Sequence, residues 1–168
     1  MGHLPYILAM STIAGSAFGW RALAPLPDKE GFAGSFAGVS NGALLVAGGA
    51  NFPGRRPWEG GNKVWHDLIY VLEDPGGSWK VAGRLPRPLG YGVSVRYGQC
   101  VVCVGGGDSK GNSAEVFRLD WREGKLLTTR LPALPRPVAN ACGAMVGDQL
   151  YIAGGQERPD SRGTLNLS

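Results

Sequence analysis

The chain has 168 residues, of which 28 are glycine and 12 proline, with 18% charged side chains and a formal net charge of +4. That composition describes a turn-rich globular β protein of one domain. The positive charges are scattered, with no basic run and few aromatic residues beside them, which argues against a nucleic-acid partner; a mild positive field suits a small anionic ligand and equally serves solubility.

Residues 4–18 (LPYILAMSTIAGSAF) are apolar but shorter than the roughly 20 residues needed to cross a bilayer, so no membrane span is expected. Ala17 and Gly19 suit the small positions of a signal-cleavage site, which would make Trp20 the first residue of the mature protein. No Lys or Arg precedes the apolar stretch. Residues 1–19 therefore read either as a signal peptide, giving a periplasmic or secreted protein, or as a non-domain leader left by a misplaced start or an upstream domain, giving a cytoplasmic one.

Three runs of aliphatic residues then end in a glycine pair: residues 44–49 (LLVAGG), 101–106 (VVCVGG) and 150–155 (LYIAGG). Their last glycines lie 57 and 49 residues apart, near the period of architectures that spend one small sheet per repeat, such as the kelch propeller. Upstream of each pair sits a second apolar segment beginning at Phe36, Tyr91 and Ala141, joined to it by Asn41-Gly42, Tyr97-Gly98 or Gly147-Asp148. Glycine beside a small polar residue supplies positive φ, so these read as hairpin turns. Leu-Pro segments containing Pro27, Pro86 and Pro135 come 22, 20 and 20 residues before the last glycine of each pair, and read as crossings because proline cannot donate to a ladder.

Downstream come a loop and a third strand at residues 67–73, 114–120 and 164–167, then a fourth from Trp79 and from Lys125. One repeat is thus four antiparallel strands, a to d, forming one propeller blade. The predicted layout is an orphan strand d at residues 20–26, blades at 31–85 and 89–131, and an incomplete blade at 138–168. In a closed ring such a split first blade lets the N-terminal strand complete the last one, leaving no open edge. Twelve strands make about three blades, fewer than a usual ring of four to eight. Trp20 and Trp79, which open d strands, are expected to be structural.

Cys100, Cys103 and Cys142 fall inside strands and read as core thiols. Cys100 and Cys103, three apart, must point to opposite faces, and an odd count argues against a disulfide framework. Only His3 and His66 are available as imidazole ligands, which leaves no metal cluster and disfavours a copper-radical propeller enzyme.

In a four-stranded meander the b-to-c and d-to-a connections share one face of the ring. The b-to-c loop at residues 50–66 (ANFPGRRPWEGGNKVWH) is far longer than the turns opposite, and loops of that length are usually functional. It carries Asn51, Arg55, Arg56, Trp58, Glu59, Lys63, Trp65 and His66. The same face receives Tyr91 and Asn140 from the crossings, and Gln156, Glu157, Arg158 and Arg162 from the third b-to-c loop. Arg forks hold carboxylates and aromatic rings stack on the apolar faces of sugars, so the set suits an anionic carbohydrate. The competing reading makes the arginines solvated loop charges and the tryptophans loop packing.

Residues 30–54 (EGFAGSFAGVSNGALLVAGGANFPG), the Pro57-Trp58-Glu59-Gly60-Gly61 run and residues 85–95 (LPRPLGYGVSV) strongly resemble the cyclically permuted form of the sialic acid mutarotases, or N-acetylneuraminate epimerases. The likeness runs from Trp20 to about Arg162. It implies kelch-type blades of a six-bladed propeller, of which this chain resembles the first half, and interconversion of the anomers of N-acetylneuraminic acid without a metal or organic cofactor. It also implies a catalytic Glu and Arg in a Gly-Glu-x-x-Pro-Gly-x-Arg segment of a later blade. The nearest local likeness, residues 155–162 (GQERPDSR), puts Gln156 on the Glu position and Arg162 on the Arg position. Gln has no proton to exchange, so no catalytic residue is identified; Glu157 is an improvised base only if strand direction turns it inward. What carries over is the loop at residues 50–61 and the crossing at Gly90-Tyr91-Gly92, as rim or pocket residues.

The expectation is therefore an isomerase-type chain that is incomplete and inactive alone, with a small anionic sugar such as sialic acid as its partner. Two alternatives stand beside it: a non-catalytic module that binds a glycan or protein through the long-loop face, and a head-to-tail homodimer that completes the ring.

Overall fold

The computed structural model describes residues 8–10 and 19–158. Strands β1 (Phe36–Ser40), β2 (Ala43–Ala47), β3 (Leu68–Leu72) and β4 (Lys80–Arg84) lie side by side in chain order as an antiparallel sheet. A second sheet repeats the pattern with β5 (Val93–Tyr97), β6 (Cys100–Val104), β7 (Val116–Arg122) and β8 (Lys125–Leu131). A hairpin of β9 (Cys142–Val146) and β10 (Gln149–Ala153) follows. The meander read from the glycine pairs is thus the observed all-β architecture of propeller blades. The strand expected at residues 164–167 and Arg162 lie outside the described residues, as does most of the leader. No helix among the described residues is long and apolar enough to cross a membrane.

The hairpins turn where the sequence supplies positive φ. Asn41 and Gly42 both take it (46° and 84°), giving the mirror-image turn whose twist matches the strands. The second hairpin turns one residue later than expected, at Gly98-Gln99, because Tyr97 still pairs with Cys100 and positive φ begins at Gly98 (58°). At the N-terminus, Trp20–Ala22 pairs antiparallel with Leu8–Met10. Trp20 is 66% exposed, since a two-stranded ribbon gives a large ring little cover, whereas Trp79 donates its indole N–H to the Ala24 carbonyl at 2.7 Å. Only the second of these tryptophans is anchored.

Side chains alternate across each sheet, so the middle sheet is buried twice. Cys103, Val101, Phe117 and Leu119 face the first sheet and pack on Phe36, Leu45, Ile69 and Val71. Cys100, Val102 and Val104 face the other way, toward Met145, Leu150 and Ile152. All five residues of β6 are buried, and burial pushes the thiols of Cys100 and Cys103 up from their ordinary pKa. Cys142 departs from the core expectation. On β9, Gly143 and Met145 turn toward the second sheet, which leaves Cys142, Ala144 and Val146 exposed on the opposite face.

The glycine pairs join the sheets. Gly49 N–H donates to the Leu89 carbonyl at 2.7 Å, and Gly106 N–H donates to the Val138 carbonyl at 2.8 Å. The first glycine of these two pairs lets that crossing approach: a Cβ at Gly48 would lie 2.2 Å from the Leu89 oxygen, and one at Gly105 would lie 2.2 Å from the Val138 oxygen. On the far face the sheets are clasped by polar groups. Asn41 Nδ2 donates to the buried Asp120 carboxylate (3.0 Å) and to the Trp121 carbonyl (2.8 Å), while Ser40 Oγ donates to the Gln99 carbonyl and accepts from Trp121 N–H.

Candidate functional site

The long-loop face is assembled by positions that recur at fixed offsets from the glycine pairs. Fifteen residues before the second glycine stand Gly34, Tyr91 and Asn140, all with positive φ (67°, 61° and 57°). One residue after it stand Ala50, Gly107 and Gln156. The residue just before each member of the first set forms an isolated β-bridge with the second set, Ala33 with Ala50, Gly90 with Gly107 and Ala139 with Gln156. Tyr91 N–H donates to the Gly34 carbonyl (2.6 Å) and Asn140 N–H to the Tyr91 carbonyl (2.7 Å), so these residues form a continuous backbone belt from repeat to repeat.

A tyrosine in the left-handed region is uncommon and costs roughly 1 kcal/mol or more, a strain that persists only where surroundings over-determine it. Here the belt holds its backbone from both sides. Its ring occupies space that only glycine leaves free, since a Cβ at Gly34 would fall 2.6 Å from it. Lys63 closes the other side, with its ammonium 4.1 Å from the Tyr91 ring centroid and 5.1 Å from that of Trp65.

The loop at residues 50–66 is not structureless. Ala50–Asn51 pairs with Val64–Trp65, and a short 3-10 turn at Pro57–Glu59 sits at its tip. The second repeat makes a smaller copy in which Gly107–Asp108 pairs with Gly111–Asn112. Trp65 and Asn112 are therefore equivalent, each opposite the residue that follows its glycine pair. Together with Tyr91, Asn140, Gln156 and Lys63 they line a pocket of about 140 Å³. Asn140 Nδ2 donates to Gln156 Oε1 (3.1 Å), and Asn112 Nδ2 donates to the Gln156 carbonyl (2.8 Å). A neighbouring cavity of about 410 Å³ shares Lys63, Trp65 and Asp108 with it and adds Arg87.

On the other side of Tyr91 lies an open cleft of about 500 Å³, walled by Asp28, Glu30, Phe32, Phe52, Arg56 and Trp58. Trp58 is 81% exposed, and Arg56 faces Glu30 at 3.4 Å. Asn51 is the strut beneath this cleft. Its amide nitrogen donates to Asp28 Oδ1 (3.2 Å) and the Gly31 carbonyl (3.0 Å), and its oxygen accepts from His66 Nε2–H (2.8 Å), which uses its bonding capacity internally.

The structure thus brings Tyr91, Asn140 and Gln156 together in the amide-lined pocket, and Asn51, Arg56 and Trp58 in the aromatic cleft. Arg55 is exposed and lines neither. The Glu59 carboxylate accepts from Arg56 N–H at 3.0 Å and so caps the turn at the loop tip. Glu157 does not line the amide pocket; it faces Arg136 at 3.8 Å. The same pairing occurs one repeat earlier, where Asp108, at the same offset, faces Arg87 at 3.5 Å. Both arginines come from the Leu-Pro-Arg-Pro crossings, so Glu157 takes part in an ion pair that recurs from repeat to repeat. Asn112, Asp28 and Glu30 are wall residues that sequence reasoning did not select. The signal for Asn112 was its place opposite the residue after the glycine pair, where Trp65 stands in the previous repeat.

Comparison with known proteins places the chain as a whole. The family model described as N-acetylneuraminate epimerase matches residues 8–128. The N-acetylneuraminate epimerase of Yersinia pestis (strain Pestoides F) is 39% identical over 133 residues, covering 67% of this chain and 32% of that protein. Its counterpart in Salmonella enteritidis PT4 (strain P125109) is 44% identical over 110 residues, covering 60% of this chain and 28% of that protein. The solved structure titled "Structure of YjhT" superposes with a TM-score of 0.66 at 27% identity, covering 74% of this chain and 38% of that one. The chain spans about a third of the length of the curated relatives it matches. On the match over residues 8–128 and the shared propeller fold, the chain belongs to the N-acetylneuraminate epimerase family.

Proposed function

We propose that the chain forms the sugar-binding part of a sialic acid mutarotase, with the amide-lined pocket as the place where the sugar sits. The observation that carries this reading is the convergence of Tyr91, Asn140 and Gln156, from two different repeats, on one pocket in a chain of this family. Anomer interconversion requires loss of the anomeric hydroxyl proton as the ring C–O bond breaks, protonation of the ring oxygen, and reclosure of the carbonyl from either side. Amides cannot take or give a proton at neutral pH, but they orient hydroxyl and acetamido groups through directed hydrogen bonds. The described residues of the pocket therefore supply binding and orientation, and no segment of this sequence matches Gly-Glu-x-x-Pro-Gly-x-Arg.

Two NMR measurements on the purified chain test this. Saturation transfer to N-acetylneuraminic acid should be observed, while anomer exchange should proceed at the buffer rate. Absence of saturation transfer contradicts the reading. Exchange accelerated at sub-stoichiometric protein contradicts the assignment of this chain to binding without turnover.

A further inference from the structure

We infer that Lys63 is the group that anchors the ligand carboxylate in the amide-lined pocket; the inference rests on the pocket being the sugar site. Among the described residues Lys63 is the one cation that lines the amide pocket itself; Arg87 and Lys110 line the adjoining cavity. Arg87, on the adjoining wall, faces Asp108 (3.5 Å) and Glu115 (3.7 Å), and across Tyr91 the Arg56 guanidinium faces Glu30. Lys63 has no carboxylate within ion-pair distance among the described residues. Its ammonium is held instead by two aromatic faces, Tyr91 at 4.1 Å and Trp65 at 5.1 Å.

Such a tether has a specific chemical consequence. An ammonium paired with a carboxylate is neutralised and must break that pair to take a ligand, whereas one resting on rings keeps its charge and its N–H donors while losing much of its rotamer freedom. The one acid on the shared wall, Asp108, has a side chain only 10% exposed and turned to Arg87, so it competes weakly for Lys63. On the same pocket, Asn140 donates an amide N–H to Gln156, and its amide oxygen can accept from a sugar hydroxyl or acetamido N–H. A cation and an amide acceptor on one wall match a carboxylate carried on the same ring as hydroxyl groups. Trp65 and Tyr91 are positioning residues in this arrangement, and Lys63 is the group that touches the ligand.

Calorimetric or NMR titration of the full chain with N-acetylneuraminic acid and with its uncharged methyl ester tests the assignment. A charge-assisted bond in a partly enclosed site predicts acid over ester by about tenfold or more in the wild type. Lys63→Met should abolish that preference by weakening the acid alone, and Lys63→Arg should restore most of it. Lys125→Met, which removes the same charge at the start of β8, should change nothing. If the wild type binds the sugar but Lys63→Met keeps the preference, the anchor is overturned while the sugar site stands. If the wild type binds neither compound, both fall.

Discussion

The first and third repeats use the same backbone for different ends. At the belt position the first repeat has Gly34 and the third Asn140; after the glycine pair the first has Ala50 and the third Gln156. The bridges and the hydrogen bonds between these positions are alike in both. Yet the first repeat presents no polar side chain there, and the third presents two amides bonded to each other. The frame is thus independent of the side chains it displays: glycine pairs and crossings set where a residue points, and substitution at two fixed offsets decides what chemistry is offered.

That separation can be broken from the frame side. Gly48→Val should have the largest effect, because the residue has positive φ (63°) and the new Cβ would lie 2.2 Å from the Leu89 carbonyl oxygen, a backbone atom that moves only if the two sheets part. A loss of about 3–5 kcal/mol is expected, read as a lowered denaturation midpoint. Gly34→Ala should cost less, about 2 kcal/mol, since the clash is with the Tyr91 ring, which can tilt. It should, however, weaken sugar binding several-fold by moving that ring off Lys63, so titration separates it from a purely structural change. Gly154→Ala sharpens the comparison at its other end. This glycine has the same left-handed φ (68°) as Gly48 but meets nothing within 4 Å among the described residues, so only the conformational cost of about 1 kcal/mol should appear.

Much of the frame was readable in the residues. Aliphatic runs ending in Gly-Gly placed β2, β6 and β10, and Asn41-Gly42 placed the first turn where it occurs. The opposite orientations of Cys100 and Cys103 followed from strand periodicity alone. The site was less readable, because its walls depend on contacts between repeats. Tyr91, Asn140 and Gln156 could be assigned to one face from connection topology. The partner of Glu157 is Arg136 of the proline crossing, a contact that strand periodicity does not encode. Lys63 was one of several cations in the loop. Only the short ribbon of Ala50–Asn51 with Val64–Trp65 brings it over Tyr91, a residue from the next repeat. Trp20 and Cys142 failed for a related reason, since periodicity says which way a side chain points and not whether anything lies there.

The most direct test of the account is a titration of the isotopically labelled chain with N-acetylneuraminic acid, following the side-chain amide resonances of Asn112, Asn140 and Gln156. The account predicts that all three shift together along one saturation curve while the amide of Asn41, on the opposite face, stays fixed. Shifts confined to residues outside the pocket, with these three unmoved at saturating sugar, would contradict it.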